Sequence, residues 1–301
     1  MPTLRKKTSS SLPGQKRSGV QGSGKIPFKK TKRKRTEGGG GDIMHKAVVA
    51  KMEASNIATA LQFLKTRDPK LGRMIDVLGP PHSLLRRIGY DAFTSLVKSI
   101  CAQQLSSAAA QTIFNRLHRS CCPSGNGSSS GAEVVSGAHA VRLSPCDILS
   151  KPDEDLRQLG LSGRKCEYVK ELSRRFSMGE LSDAALHSMA DEDVVAELTR
   201  TRGLGVWSAH MFLMFHLGRP DVLPVGDLGV RKGAHAIYNR SQGKGKGKIK
   251  ASPSSGSTGK ASVEDLEKIG ELWRPYRSIG SWYMWQAQEY LTLELQNSGQ
   301  Q

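Results

Sequence analysis

No stretch of about 18 apolar residues occurs anywhere in the 301-residue chain, which excludes a membrane-spanning helix. The N-terminus is charged and serine-rich and has no apolar core of the kind a secretory signal needs, so the protein is expected inside the cell. Cysteine is scarce. The five present (Cys101, Cys121, Cys122, Cys146 and Cys166) show no paired metal-ligand spacing, and neighbours such as Cys121 and Cys122 cannot easily serve one tetrahedral site. Reduced thiols without a structural metal are the expectation. Acidic residues are few, 27 against 45 Lys plus Arg, and the formal charge of +18 points to a polyanionic partner. Apolar content, 37%, is low for this length and predicts segments that dilute a normal core.

Those segments can be located. Residues 1–41 hold twelve Lys or Arg and a single acid, Glu37, among Gly, Ser and Pro, and read as a disordered basic tail of charge +11. Arg240 to Lys260 carry six positive charges and no acid around GKGKGKIKASPSSGSTG, a second basic segment. Together they account for +17 of the +18, so a folded body must meet nucleic acid through specific local groups. Cys122 to Ala138 read as a loop expanded by insertion. Flexible inserts are therefore expected at about 122–140 and 240–261 of a folded domain spanning 42–298.

The remaining residues, about 220, repeat their apolar positions at three and four, as helices do. Ile57, Leu61 and Leu64 form one such face, Phe93, Leu96, Val97 and Ile100 another, then Ile113 with Leu117, and Tyr168, Val169 and Leu172. No comparable run alternates with period two, so the fold class is all-α. Asp191 and Ser182 stand where helix N-caps are expected.

The most informative segment is Leu198 to Arg231. Its spacing predicts a helix ending near Arg202, a tight turn at Gly203-Leu204-Gly205, and a nearly all-apolar helix from Val206 to Leu217. In such a hairpin the N–H groups of the turn and of the second helix's first residues can grip a phosphate without side-chain charge. An ordinary αα-hairpin has the same outline. Asp227 follows, after Pro224 and directly before Leu228-Gly229-Val230, where another helix is expected to start. It reads as an N-cap, and an anion in that place also suits an oxocarbenium transition state.

Four motifs extend the pattern: Gln103-Gln104-Leu105-Ser106 at a helix start; Gly160-Leu161-Ser162 with Lys165 and Tyr168; Gly203-Leu204-Gly205-Val206-Trp207-Ser208 with Asp227; and Trp273-Arg274-Pro275-Tyr276-Arg277-Ser278 leading to Trp285. In this order and over most of residues 45 to 297, the sequence resembles the helix-hairpin-helix DNA glycosylases, specifically their alkylpurine (3-methyladenine) branch. It departs from them in its basic tail, its two inserts, and the lack of the N-terminal β domain that some bacterial members carry.

The resemblance implies two helical subdomains flanking an active-site cleft, with Asp227 as the catalytic anion. It implies a base pocket of Trp207, Met211 and Trp285; the alternative for the tryptophans is core packing on apolar helices, and Met211 could equally be core. DNA contacts would come from Gly203, Leu204, Gly205, Val206 and Ser208, with Gln104 or Leu105 as the wedge filling the vacated stack. A monovalent cation could sit on the hairpin carbonyls of Thr199, Thr201 and Leu204. Members that also cut the strand carry a Schiff-base lysine where Trp207 stands, so lyase chemistry is not expected. No cysteine follows Cys166, and neither an iron–sulfur cluster nor any other cofactor is expected. His210, His216 and His235 lack metal-type partners and read as packing or surface residues. The expected partner is double-stranded DNA carrying alkylated bases, bound by a monomer. The run Lys29-Lys30-Thr31-Lys32-Arg33-Lys34-Arg35 suggests a nuclear address, although an acid-poor, Ser-containing N-terminus also fits an organellar transit peptide. The rivals are a non-catalytic hairpin module that senses damage, which would be expected to lack Asp227, and a glycosylase for neutral bases, which would want a clearer acid.

Overall fold

The computed structural model describes residues 54–85, 89–121, 142–239 and 259–298. The expected tail and most of both expected inserts lie outside the described residues. Within them, every regular element is helical: α1 (Ala54–Arg67), α2 (Pro69–Leu78), α3 (His82–Leu85), α4 (Ala92–Ala102), α5 (Ser107–Cys121), α6 (Pro145–Leu149), α7 (Asp153–Gln158), α8 (Gly163–Ser177), α9 (Asp183–Ser188), α10 (Asp191–Thr199), α11 (Val206–Met211), α12 (Leu228–Tyr238), α13 (Val263–Trp273), α14 (Arg277–Trp285) and α15 (Ala287–Ser298).

The helices pack as two groups. Helices α4 to α11 contact one another, α8 lying against α4, α6 and α7, while α1 and α2 cross to the C-terminal helices α13, α14 and α15. The chain thus leaves one group after α2, builds the other, and returns at α12. The periodic apolar faces supply the core: Leu61 and Leu64 of α1, Phe93, Leu96, Val97 and Ile100 of α4, and Val169 and Leu172 of α8 are all buried. Removing such faces from water is the main favourable term in folding.

Caps start many of these helices. Ser182 accepts from Ala185 N (3.2 Å), as expected. Asp191 does not cap α10, whose N-cap is Ala190. Its carboxylate lies instead 3.3 Å from Nε of buried Arg219, because a buried guanidinium needs an anion more than a helix end, open to water, needs a cap. The apolar helix expected to run to Leu217 is α-helical only to Met211. Phe212 to His216 form a π turn, closed by Leu217 N on Phe212 O (3.0 Å). The wider turn buries Phe212, Leu213 and Met214, while Phe215 is part-buried against the core. At the edge of the second expected insert, Ala261 is anchored, its N–H on Arg231 O and its carbonyl accepting from Arg231 Nε.

Two polar clusters fix the return of the chain. Asp68, the N-cap of α2, accepts from Leu71 N, from the indole of buried Trp273 (2.9 Å) and from the Tyr238 hydroxyl, joining α2, α12 and α13. Burial, with the Asp68 charge, pushes the Tyr238 hydroxyl up, so it stays a donor. Asp221 is gripped by Arg277 through Nε (2.7 Å) and a terminal nitrogen (2.9 Å), while Ser278 donates to Arg219 O and accepts from Val222 N. The segment Trp273 to Ser278 therefore lashes down residues 219–222, which lead to Asp227.

Candidate active site

The site is built where the two helix groups meet. Helix α10 ends at Thr199, and Thr201 N and Leu204 N close successive turns on Leu198 O and Thr201 O. Gly203 has φ +86, and a Cβ there would meet the Tyr168 ring at 2.2 Å, so only glycine fits both the backbone and the aromatic packed on it. Of the hairpin residues named from the sequence, Gly205, Val206 and Trp207 are exposed, while Leu204 and Ser208 are buried, Leu204 as the apolar plug of the turn. The Thr201 carbonyl accepts from Leu204 N.

Asp227 caps α12, its Oδ1 accepting from Val230 N at 2.8 Å. The same oxygen accepts from Trp285 Nε1 at 2.9 Å, and Oδ2 accepts from Trp207 Nε1 at 2.6 Å. Three N–H donors from three helices converge on one carboxylate that is 9% exposed. Indole N–H groups can only donate, so the arrangement requires an acceptor between them. Trp285 reaches it because α14 crosses α12 over glycine: a Cβ at Gly229 would lie 2.7 Å from Trp285 Cδ1 and 3.1 Å from Asp227 Oδ1.

Trp207 is 49% exposed, so its ring is not core. Trp285 is half-buried and stacks with Phe215, centroids 5.9 Å apart at 26°. Met211, also half-buried, packs on the core one turn after Trp207. Phe215, which stacks on Trp285, was not among the residues named from the sequence. Its signal was its place four residues after Met211 and eight after Trp207, on the same helical stripe.

Across the hairpin, α4 and α5 are joined by Gln103 to Ser106. Gln104 has φ +59, the one positive-φ non-glycine among the described residues, and with Leu105 (42% exposed) it forms the loop tip. Gln103 turns inward and donates from Nε2 to Gly203 O at 2.6 Å. Lys165 Nζ donates to the carbonyls of Cys101 and Gln103, both at 2.8 Å.

Neighbouring ionisable groups are quiet. Burial, aided by Arg277, lowers the pKa of His210, which favours the neutral ring. His216 stacks on Phe212 at 4.6 Å, and His235 pairs with Asn239. Burial pushes the Cys101 thiol up to about 12 despite nearby Lys165, leaving it unreactive. Among the described residues no three His, Cys, Asp or Glu are grouped to hold a metal ion.

A helical hairpin whose second helix presents an aromatic to a cap carboxylate, in a two-group helical body, defines a helix-hairpin-helix protein. The profile of the HhH-GPD superfamily base excision DNA repair proteins matches residues 97–254, and the chain belongs to that superfamily. It is similar to a solved DNA-3-methyladenine glycosidase from Bacillus halodurans, with TM-score 0.59 and 29% identity over 78% of this chain and 91% of that one. DNA-3-methyladenine glycosylase 1 of Schizosaccharomyces pombe is 25% identical over 241 residues, covering 77% of this chain and 90% of the relative. YfjP of Bacillus subtilis is 28% identical over 202 residues, 67% of this chain but 61% of that longer protein. The solved S. pombe Mag1 complex with abasic DNA shares the fold at TM-score 0.55 and 22% identity.

Proposed function

We propose that the protein is a monofunctional DNA glycosylase that flips alkylated purines, such as 3-methyladenine and 7-methylguanine, out of duplex DNA and hydrolyses their N-glycosidic bonds. The observation that carries this reading is the Asp227 carboxylate fixed by Val230 N, Trp207 Nε1 and Trp285 Nε1. Breaking the C1′–N bond sends its electron pair into the base and leaves positive charge on the sugar, which water then quenches. A preorganised anion stabilises that charge without reorganising. Alkylated purines already carry positive charge and depart as neutral bases, so no strong general acid is needed, in keeping with a neutral His210. An electron-poor flipped ring suits the aromatic surfaces of Trp207, Trp285 and Phe215. Ethenoadenine and hypoxanthine, neutral bases, should be poorer substrates on this logic. Trp207 has no amine, so borohydride should trap no covalent complex on alkylated DNA; efficient trapping would mean a lyase. The protein acts as a monomer in the nucleus, directed there by residues 29–35.

The test is Asp227→Asn. The amide keeps an acceptor for Val230 N and Trp285 Nε1, so as a cap alone it should cost under about 1 kcal/mol. Its NH2 group then faces Trp207 Nε1, donor against donor. As the oxocarbenium-stabilising group, its loss should slow single-turnover release of 3-methyladenine on the order of 10² to 10³, with abasic-DNA affinity nearly unchanged. Release within about threefold of wild type, from a folded variant, would reduce Asp227 to a helix cap and favour a non-catalytic damage-binding module, since the expected loss is far larger.

A further inference from the structure

A lysine in a DNA-binding protein is first suspected of gripping phosphate. Lys165 has a different environment. Its ammonium is half-buried and spends two of its three hydrogens on the carbonyls of Cys101 and Gln103, at the C-terminal end of α4, where the helix dipole and unpaired carbonyls favour a cation. Burial lowers its pKa, so the ammonium is held here at some cost in desolvation. Three residues on, the Tyr168 ring packs against Gly203 of the hairpin. One turn of α8 therefore touches both the loop tipped by Gln104 and Leu105 and the hairpin, and Gln103 Nε2 closes the bracket on Gly203 O.

The bracket has a mechanical consequence. Gln104 holds a left-handed backbone that a side chain disfavours, and such a conformation persists only where neighbours over-determine it. Here the residue before it is tied on both faces, its carbonyl to Lys165 and its amide to Gly203. The loop tip cannot relax or shift relative to the hairpin without breaking one of these bonds.

We propose that Gln103 and Lys165 are positioning residues that couple the loop tip to the hairpin, so that a hairpin docked on the backbone drives the tip into the stack as one rigid unit. This rests on the glycosylase reading, in which that tip is the wedge. Lys165 contributes nothing to phosphate neutralisation.

The experiment follows 2-aminopurine fluorescence in a duplex, which rises when the base leaves the stack and needs no bond cleavage. Gln103→Met and Lys165→Met remove the donors at similar volume. Each should bind abasic DNA with an unchanged salt slope while the fluorescence rise at saturating protein falls at least threefold. Gln104→Gly combined with Leu105→Ala removes the tip and keeps the backbone conformation. It should abolish the rise in wild type but add little in either bracket variant, which a merely structural role would not produce. If Lys165→Met does not fold, Gln103→Met alone decides, because its side chain is only part-buried. Additive effects, or an undiminished rise, would overturn the coupling. A salt slope shallower by about one would assign Lys165 to phosphate. Wild type that releases 3-methyladenine with no bracket effect refutes this inference alone, whereas wild type that neither flips nor excises refutes the glycosylase reading.

Discussion

Asp227 uses three of the roughly four acceptor directions of a carboxylate, two of them on indoles, and Gly229 makes this possible. A methyl group at 229 would overlap Trp285 Cδ1 at 2.7 Å and crowd Nε1 at 3.0 Å, and the overlapping atoms belong to a rigid ring rather than to a flexible tip. Gly229→Ala should therefore raise helix propensity in α12 yet displace Trp285. Thermal stability should change little, while single-turnover excision falls about 10- to 100-fold, the scale expected when a positioned group moves by an ångström. Wild-type rates in this variant would show that the Trp285–Asp227 bond is dispensable. Asp227 stands out in the sequence because a Pro-then-Asp helix start is a local signal, whereas Trp207 and Trp285 are reached only through the family resemblance. Gly229 does not stand out, because its requirement comes from a helix 56 residues further along, where Trp285 lies.

The hairpin is held from beneath by α8. Glu171 accepts from Arg202 N at 3.0 Å and from its Nε at 2.5 Å, just before Gly203. Burial pushes the Glu171 carboxyl up, but the bonds from the Arg202 backbone and guanidinium outweigh it and leave the pKa below the ordinary glutamate value. A carboxylate depressed on folding adds stability that is complete above its unfolded pKa and disappears as pH falls through the folded one. The gap in melting temperature between wild type and Glu171→Gln should thus be full at neutral pH and close only below the ordinary glutamate range. A pH-independent gap would mean the contact acts through packing. Gly203→Ala should be harsher, with about 1–2 kcal/mol from the positive φ alone and a clash with Tyr168 besides, seen as a lower melting temperature together with weaker abasic-DNA binding. Helix order was legible because apolar positions recur at three and four, and Leu96, Ile100, Val169 and Leu172 are buried where that period puts them. The π turn at Phe212–His216 and the diversion of Asp191 to Arg219 were not, since both are settled by tertiary partners that no local window contains.

On the scale of the whole molecule, charge and shape are separated along the sequence. Residues 1–41 and 240–260 hold +11 and +6 of the net +18, so the rest of the chain carries about +1 and cannot attract DNA by bulk charge. Several of its cations are also already spent: Arg202 on Glu171, Arg175 on Glu180 and Glu197, Arg277 on Asp221. Long-range attraction should therefore come from the two basic segments and local grip from the hairpin backbone, two contributions with different salt dependence. Each phosphate neutralised adds about 0.9 to the slope of log affinity against log salt. Deleting residues 1–41 and changing Lys244, Lys246, Lys248 and Lys250 to Ser should flatten that slope by several units and weaken binding most at low salt. Single-turnover excision at saturating protein should stay unchanged, because nothing near Asp227 is altered. The measurement is fluorescence anisotropy on an abasic duplex across a salt series, beside base release at saturation. A slope that falls by less than one would place the phosphate contacts on the helical body and leave the basic segments without a part in DNA capture.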